Sequence, residues 1–150
     1  MKKYIAFLLA FILTFSLCSC QKEYDPYLLL NEFVISYGLC GVVYSPSVAE
    51  GKDGFVREGL MERVYRYSGS FPDSYAVMLN SRSDYGGECG VFVCQNADVL
   101  YAVEELCLER MRLLDPSGRN SLIILDGQII FYSTLQDKNR AERIWREIIR

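Results

Sequence analysis

Apolar side chains return every third or fourth residue in four stretches of this chain. From Asn96 to Leu114, Val99, Val103, Leu106 and Leu114 form one stripe, while Glu104, Glu105 and Glu109 fall away from it. That spacing predicts a helix capped by Asn96 and broken by Asp115-Pro116-Ser117-Gly118. A second helix is expected from about Asp137 to Arg150, with Ala141, Ile144, Trp145 and Ile148 on one face and Arg146 and Arg150 toward its carboxyl end. Tyr27 to Tyr37 follows Asp25-Pro26, which reads as a cap with proline at the first helical position, and Gly38 should end that helix. Phe55 to Tyr67 repeats Val56, Leu60, Val64 and Tyr67 at helical spacing and predicts a fourth.

Shorter runs are apolar at successive positions. Tyr75 to Asn80, Gly90 to Cys94, Leu122 to Leu125 and Ile129 to Tyr132 read as strands, and Cys40 to Tyr44 has the composition of a short one stopped by Ser45-Pro46. Asp126-Gly127 between two such runs is a hairpin signature. A two-residue loop there would pair Leu125 with Gln128, Ile124 with Ile129 and Leu122 with Phe131. A shift of 38 residues lays Val91 on Ile129, Val93 on Phe131 and Leu106 on Ile144, so the second half reads as two β-β-α units. The fold expected is α+β: a four-stranded, mainly antiparallel sheet from those units, with additional N-terminal helices. Strands without alternation need both faces covered. The two helices of the repeat would cover one face, and the N-terminal helices or a second copy of the chain the other.

The first twenty residues form a different pattern. Met1-Lys2-Lys3 precedes an apolar run from Tyr4 to Leu17, then Leu17-Cys18-Ser19-Cys20. As a helix the run would rise only about 21 Å, short of the ~30 Å hydrocarbon layer, so it suits a secretory signal better than a permanent span. Leu17 to Cys20 resembles the bacterial lipobox, with Cys18 standing where alanine or serine is usual. The resemblance implies that the Cys20 thiol takes a diacylglycerol and that the chain is cut just before it. Residues 1–19 then form the signal peptide, 20–26 the lipidated cysteine and a short tether, and 27–150 one globular domain. The expected location is the cell membrane, lipid-anchored on the extracytoplasmic side. An ordinary signal cut nearby, or an uncleaved signal-anchor, is the alternative.

Removing residues 1–19 leaves 131 residues and moves the formal charge from −3 to −5. A mildly acidic domain is not built to bind nucleic acid. The chain has no histidine, which excludes histidine-activated nucleophiles and histidine-ligated metals. No cofactor or metal site is expected. Cys40, Cys89, Cys94 and Cys107 remain, an even count that permits disulfides outside the cytoplasm in three pairings, or free buried thiols.

Chemistry candidates are few. Arg82, Asp84, Tyr85 and Glu88 flank a Gly-rich loop that could touch a ligand or partner, yet it runs into a strand and not a helix amino terminus, unlike a phosphate cradle. A long hairpin loop is the plainer account. Cys107 near its helix's apolar stripe reads as packing. Glu104, Glu105 and Glu109 read as a solvated face sooner than as paired acids. Lys138, Arg140, Arg143, Arg146 and Arg150 make the last helix basic, tempered by Glu142 and Glu147.

From Tyr75 to the end, Glu88 and Gly90 before the strand Val91-Phe92-Val93, the amphipathic helix to Leu114 and the closing strand and helix resemble a family of small bacterial lipoproteins built on a domain of unknown function. The resemblance implies an envelope location and supplies no catalytic residue. The expected function is therefore a non-catalytic binding or scaffolding module, held to the membrane by lipid and facing an envelope protein or ligand. The alternatives are an envelope hydrolase using carboxylates or a thiol, and a secreted domain stapled by disulfides without lipid.

Overall fold

The computed structural model describes residues 24–67, 72, 74–79 and 87–150. Helix α1 spans Pro26–Tyr37, and its ends are set locally. The Asp25 carboxylate accepts from the Tyr27 amide at 2.8 Å. At the other end Gly38, at φ +76°, takes the left-handed cap: its N–H reaches the Ile35 carbonyl, and the Leu39 N–H reaches Val34. Helix α2, Leu60–Tyr65, is all that forms of the helix expected over Phe55 to Tyr67. Phe55 is instead held in a parallel bridge to Ser45, and Gly59 turns left-handed at φ +68° just before α2. Neither the bridge nor the turn leaves a trace in the apolar spacing.

The strands are β1 (Val43–Tyr44), β2 (Tyr75–Met78), β3 (Cys89–Val93), β4 (Leu122–Asp126) and β5 (Ile129–Ser133). They form a five-stranded sheet in the order β1-β2-β3-β5-β4, antiparallel throughout. The expected four strands gain a fifth because Val43 and Tyr44 pair with Met78 and Val77 at one edge. The β4–β5 hairpin also corrects the expected register: Asp126 pairs with Ile129, Ile124 with Phe131 and Leu122 with Ser133. The turn residues are Gly127 and Gln128, of which only Gly127, at φ +59°, is left-handed, the requirement of a type II′ turn. Moving the turn by one residue shifts every pair by two and leaves each side chain on its face. The apolar pattern is blind to that difference.

Helix α3 (Ala97–Leu114) starts at Asn96, whose Oδ1 accepts the Val99 N–H at 3.0 Å; α4 (Lys138–Ile148) starts at Asp137, which accepts the Arg140 N–H at 2.9 Å. Beyond α3, Asp115 accepts from Ser117, Asn120 and Ser121 and closes the turn into β4. These bonds, that from Ser117 foremost, hold its carboxyl below the usual range. The two repeat helices do not share a face. Leu30, Phe33 and Val34 of α1 and Ala141 and Trp145 of α4 cover one side of the sheet, over Ala76, Val91 and Phe131. Met61 and Tyr65 of α2 and Val103, Leu106, Cys107 and Met111 of α3 cover the other, over Val77, Phe92 and Ile130. The connection from β5 to α4 is one residue longer than that from β3 to α3, and side chains alternate faces residue by residue along a strand. Leu114, expected in the core stripe of α3, is 37% exposed, and Cys107 and Met111 fill the stripe instead.

Aromatic packing differs between the layers. Trp145 stacks on Phe131 with centroids 4.3 Å apart and planes 7° from parallel, and Phe33 lies 4.8 Å from Phe131 on the same side. Opposite them, Phe92 stacks between Tyr75 and Tyr132 at 5.9 and 6.2 Å. Gly90 pairs with Tyr132 across the strands, and a Cβ there would lie 2.5 Å from the Tyr132 ring and 3.0 Å from Val77. Gly90→Ala should therefore overpack this spot and cost about 1–3 kcal/mol. Urea unfolding of the two proteins checks it; an unchanged midpoint would mean that the ring can move.

Candidate functional site

Glu88 precedes β3 and is 3% exposed. Its backbone is tied to the end of β5: the Glu88 N–H donates to Thr134 Oγ1 at 2.9 Å, and the Thr134 N–H donates to the Glu88 carbonyl at 2.9 Å. Gly87 makes that approach possible, since a Cβ there would sit 2.5 Å from the Thr134 carbonyl oxygen. The carboxylate thus starts its path inward from a fixed point.

Arg110 of α3 meets it as a fork. Nε donates to Oε1 and Nη2 to Oε2, each at 2.7 Å, while Nη1 donates to the Val64 carbonyl at 2.9 Å. The Tyr132 hydroxyl also donates to Glu88 Oε1 at 2.7 Å. Having spent its proton there, Tyr132 accepts from the Tyr65 hydroxyl. The guanidinium lies 5.8 Å from the centroid of the Tyr65 ring. One carboxylate so links β3, β5 and α3 directly, and α2 through the two tyrosines and the Val64 carbonyl.

The electrostatics follow from this geometry. Hydrogen bonding to Glu88 raises the Arg110 pKa, against the opposing effect of burial. Burial pushes the Tyr65 and Tyr132 hydroxyls up, and the negative Glu88 adds to it. Burial likewise pushes Cys94 up to about 11 and raises Cys89 and Cys107. Burial thus works against the thiolate, the form that attacks as a nucleophile. Both Glu88 oxygens accept hydrogen bonds from within the fold.

The structure also contains an apolar groove of about 390 Å³ between the first half of α3 and the sheet. Tyr67, Pro72, Val93, Val99, Val103 and Leu106 line it, with Ser74, Gln95 and Asp98 as its polar groups. Apolar walls with a few polar groups suit ligand binding. A polar hollow of about 450 Å³ lies beside the start of α1, but its Ser45 hydroxyl is already bonded to the Tyr75 carbonyl and to Ser47.

Of the residues singled out from sequence, Cys20, Arg82, Asp84 and Tyr85 lie outside the described residues. Glu88 is placed in the core, paired with Arg110, and not on a ligand-facing surface. Cys40 is exposed after α1, Cys89, Cys94 and Cys107 are buried, and all four are free thiols. Glu105 and Glu109 are exposed and Glu104 is half-buried. Sequence reasoning missed Arg110, Tyr65 and Tyr132. The legible signal was Arg110 itself, a cation three residues beyond Cys107 and therefore beside the apolar stripe. Among the described residues, no group of acidic or cysteine side chains could hold a metal ion. The chain matches no family model, no curated protein and no solved structure.

Two outcomes follow from the buried cluster. Arg110→Met leaves the Glu88 charge buried and unpaired and should cost about 3 kcal/mol, whereas adding Glu88→Leu should return most of that loss; urea midpoints of the single and double variants measure both. In the unfolded chain cysteines titrate near 8.5 and tyrosines near 10, so the folded state keeps these raised groups protonated longer, and about 1.4 kcal/mol per group is lost for each pH unit above its unfolded value. Stability should accordingly hold steady up to about pH 8 and fall from there toward pH 11. A urea midpoint that rises over that interval would contradict the burial of these groups.

Proposed function

We propose that the protein is a non-catalytic binding or scaffolding module, anchored by lipid at Cys20 on the extracytoplasmic side of a bacterial membrane. The basic start, the short apolar run and Leu17-Cys18-Ser19-Cys20 support the anchor. The observation that carries the non-catalytic reading is the closure of Glu88 by Arg110 and Tyr132. A carboxylate so used is a structural tie, and burial of Cys89, Cys94 and Cys107 disfavours their thiolate form. The groove along α3 supports binding, with room for an apolar side chain or a small ligand.

No described helix is long and apolar enough to cross a membrane, so on this reading the attachment rests on the lipid. Two acyl chains suffice for stable anchoring. In cells fed an alkyne analogue of palmitate, the full-length protein should take up label and fractionate with membranes. Cys20→Ser should lose the label and leave the membrane fraction. Retention of Cys20→Ser in the membrane would defeat the anchor, and substrate turnover abolished by Glu88→Gln in a folded protein would defeat the non-catalytic reading.

A further inference from the structure

The outer side of the α1/α4 layer joins exposed apolar side chains to a row of cations. On α1, Leu28 is 63% exposed and Ile35 is 77% exposed. Seven residues apart, they stand on one ridge, opposite the buried Leu30, Phe33 and Val34. On α4 the buried residues are Ala141 and Trp145, so the side farthest from the sheet carries Arg143, Arg146 and Glu147, and the exposed Arg150 follows just past the helix end. Both ridges point away from the same face of the sheet. Arg140 joins the two helices by donating to the Tyr37 carbonyl at 3.0 Å and lying 4.7 Å from the Tyr37 ring centroid.

Charge divides the molecule along the same line. From Cys20 onward the chain is net −5, yet residues 138–150 hold five cations against Glu142 and Glu147, with Glu142 paired to Arg146 at 2.8 Å. Helix α3, in the opposite layer, exposes Asp98, Glu105 and Glu109 against Arg112. Glu32 is the acid between Leu28 and Ile35 on their ridge. The described residues begin at Tyr24, two before α1, and the four residue steps from Tyr24 back to Cys20 span at most about 14 Å in any conformation. Leu28 is in the first turn of α1, so a lipid on Cys20 keeps this ridge near the bilayer.

We propose that the outer side of the α1/α4 layer rests on the anionic lipid surface, with Leu28 and Ile35 entering the headgroup boundary and Arg143, Arg146 and Arg150 facing lipid phosphates. This rests on the anchor at Cys20 proposed above. Apolar side chains beside a basic row match what binds at an anionic interface. The α2/α3 layer, acidic along α3, and its groove then face away from the membrane, open to a partner.

The test uses the full-length protein made in bacteria whose membranes contain phosphatidylglycerol. A photoreactive phenylalanine analogue replaces Leu28, Ile35 or, as the control on α3, Glu105. Isolated membranes are irradiated, and phospholipid adducts are read by mass spectrometry; acylation and fractionation are read on the same samples. Adducts are expected at positions 28 and 35 and only background at 105. Changing Arg143, Arg146 and Arg150 together to Gln should lower the docked-to-undocked ratio about a hundredfold, with acylation unchanged. Acylated, membrane-bound protein with no more adduct at 28 and 35 than at 105 overturns the docking and leaves the anchor standing. Crosslinks from 28 and 35 to another protein also overturn it, and adducts indifferent to the triple change overturn the part given to the arginines. A soluble, unacylated protein defeats both readings.

Discussion

The central strands β3 and β5 bury side chains on both faces, and most of the architecture answers that demand. Val91 and Phe131 point one way and Phe92, Ile130 and Tyr132 the other, all at 0% exposure. A sheet of this kind is stable only as the middle of three layers. Each face takes one helix from the N-terminal half and one from the C-terminal half: α1 with α4, and α2 with α3. The short α2 matters out of proportion to its length, because Met61 and Tyr65 close the side that α3 leaves partly open.

The buried ion pair belongs to the same economy of space. Hydrophobic packing holds the layers together but tolerates some sliding. The fork of Arg110 on Glu88, with Tyr132 on the same oxygen, has one geometry and fixes α3 against β3 and β5. Burying a carboxylate and a guanidinium carries a desolvation cost that their attraction roughly offsets. The gain is in position. Gly87 and Gly90 serve this arrangement, one by letting Glu88 approach Thr134, the other by giving the Tyr132 ring room across the sheet.

The two layers differ in chemistry as well as in position. One carries the first described residues, exposed Leu28 and Ile35, and a basic ridge. The other carries acidic side chains, exposed Tyr101 and Leu113, and the apolar groove. A protein tethered within a few residues of α1 would so be oriented by its own surface, with the groove turned outward. On the proposed reading the anchor and the groove belong to one arrangement, a module presenting a binding face at a fixed height above the membrane.

Local chemistry made much of this legible in the chain. Asp25-Pro26, Asn96 and Asp137 mark three helix starts because a cap needs only its own neighbouring amides. Gly38 marks an end for the same reason, and successive apolar residues announced a sheet covered on both sides. The place of Val43–Tyr44 in the sheet, the shortened α2, the turn at Gly127-Gln128 and the opposite faces of α3 and α4 depended on contacts outside each segment, or on single-residue shifts that leave the apolar pattern unchanged. Glu88 shows the boundary most clearly. In sequence it is a polar residue beside a Gly-rich loop, indistinguishable from a surface acid. Only the meeting of Arg110, 22 residues on, and Tyr132, 44 residues on, makes it the centre of the core. Sequence alone determined what each segment could form, because propensity, capping and periodicity act over a few residues; tertiary structure decided which charges would be buried, because that needs partners brought together from far along the chain.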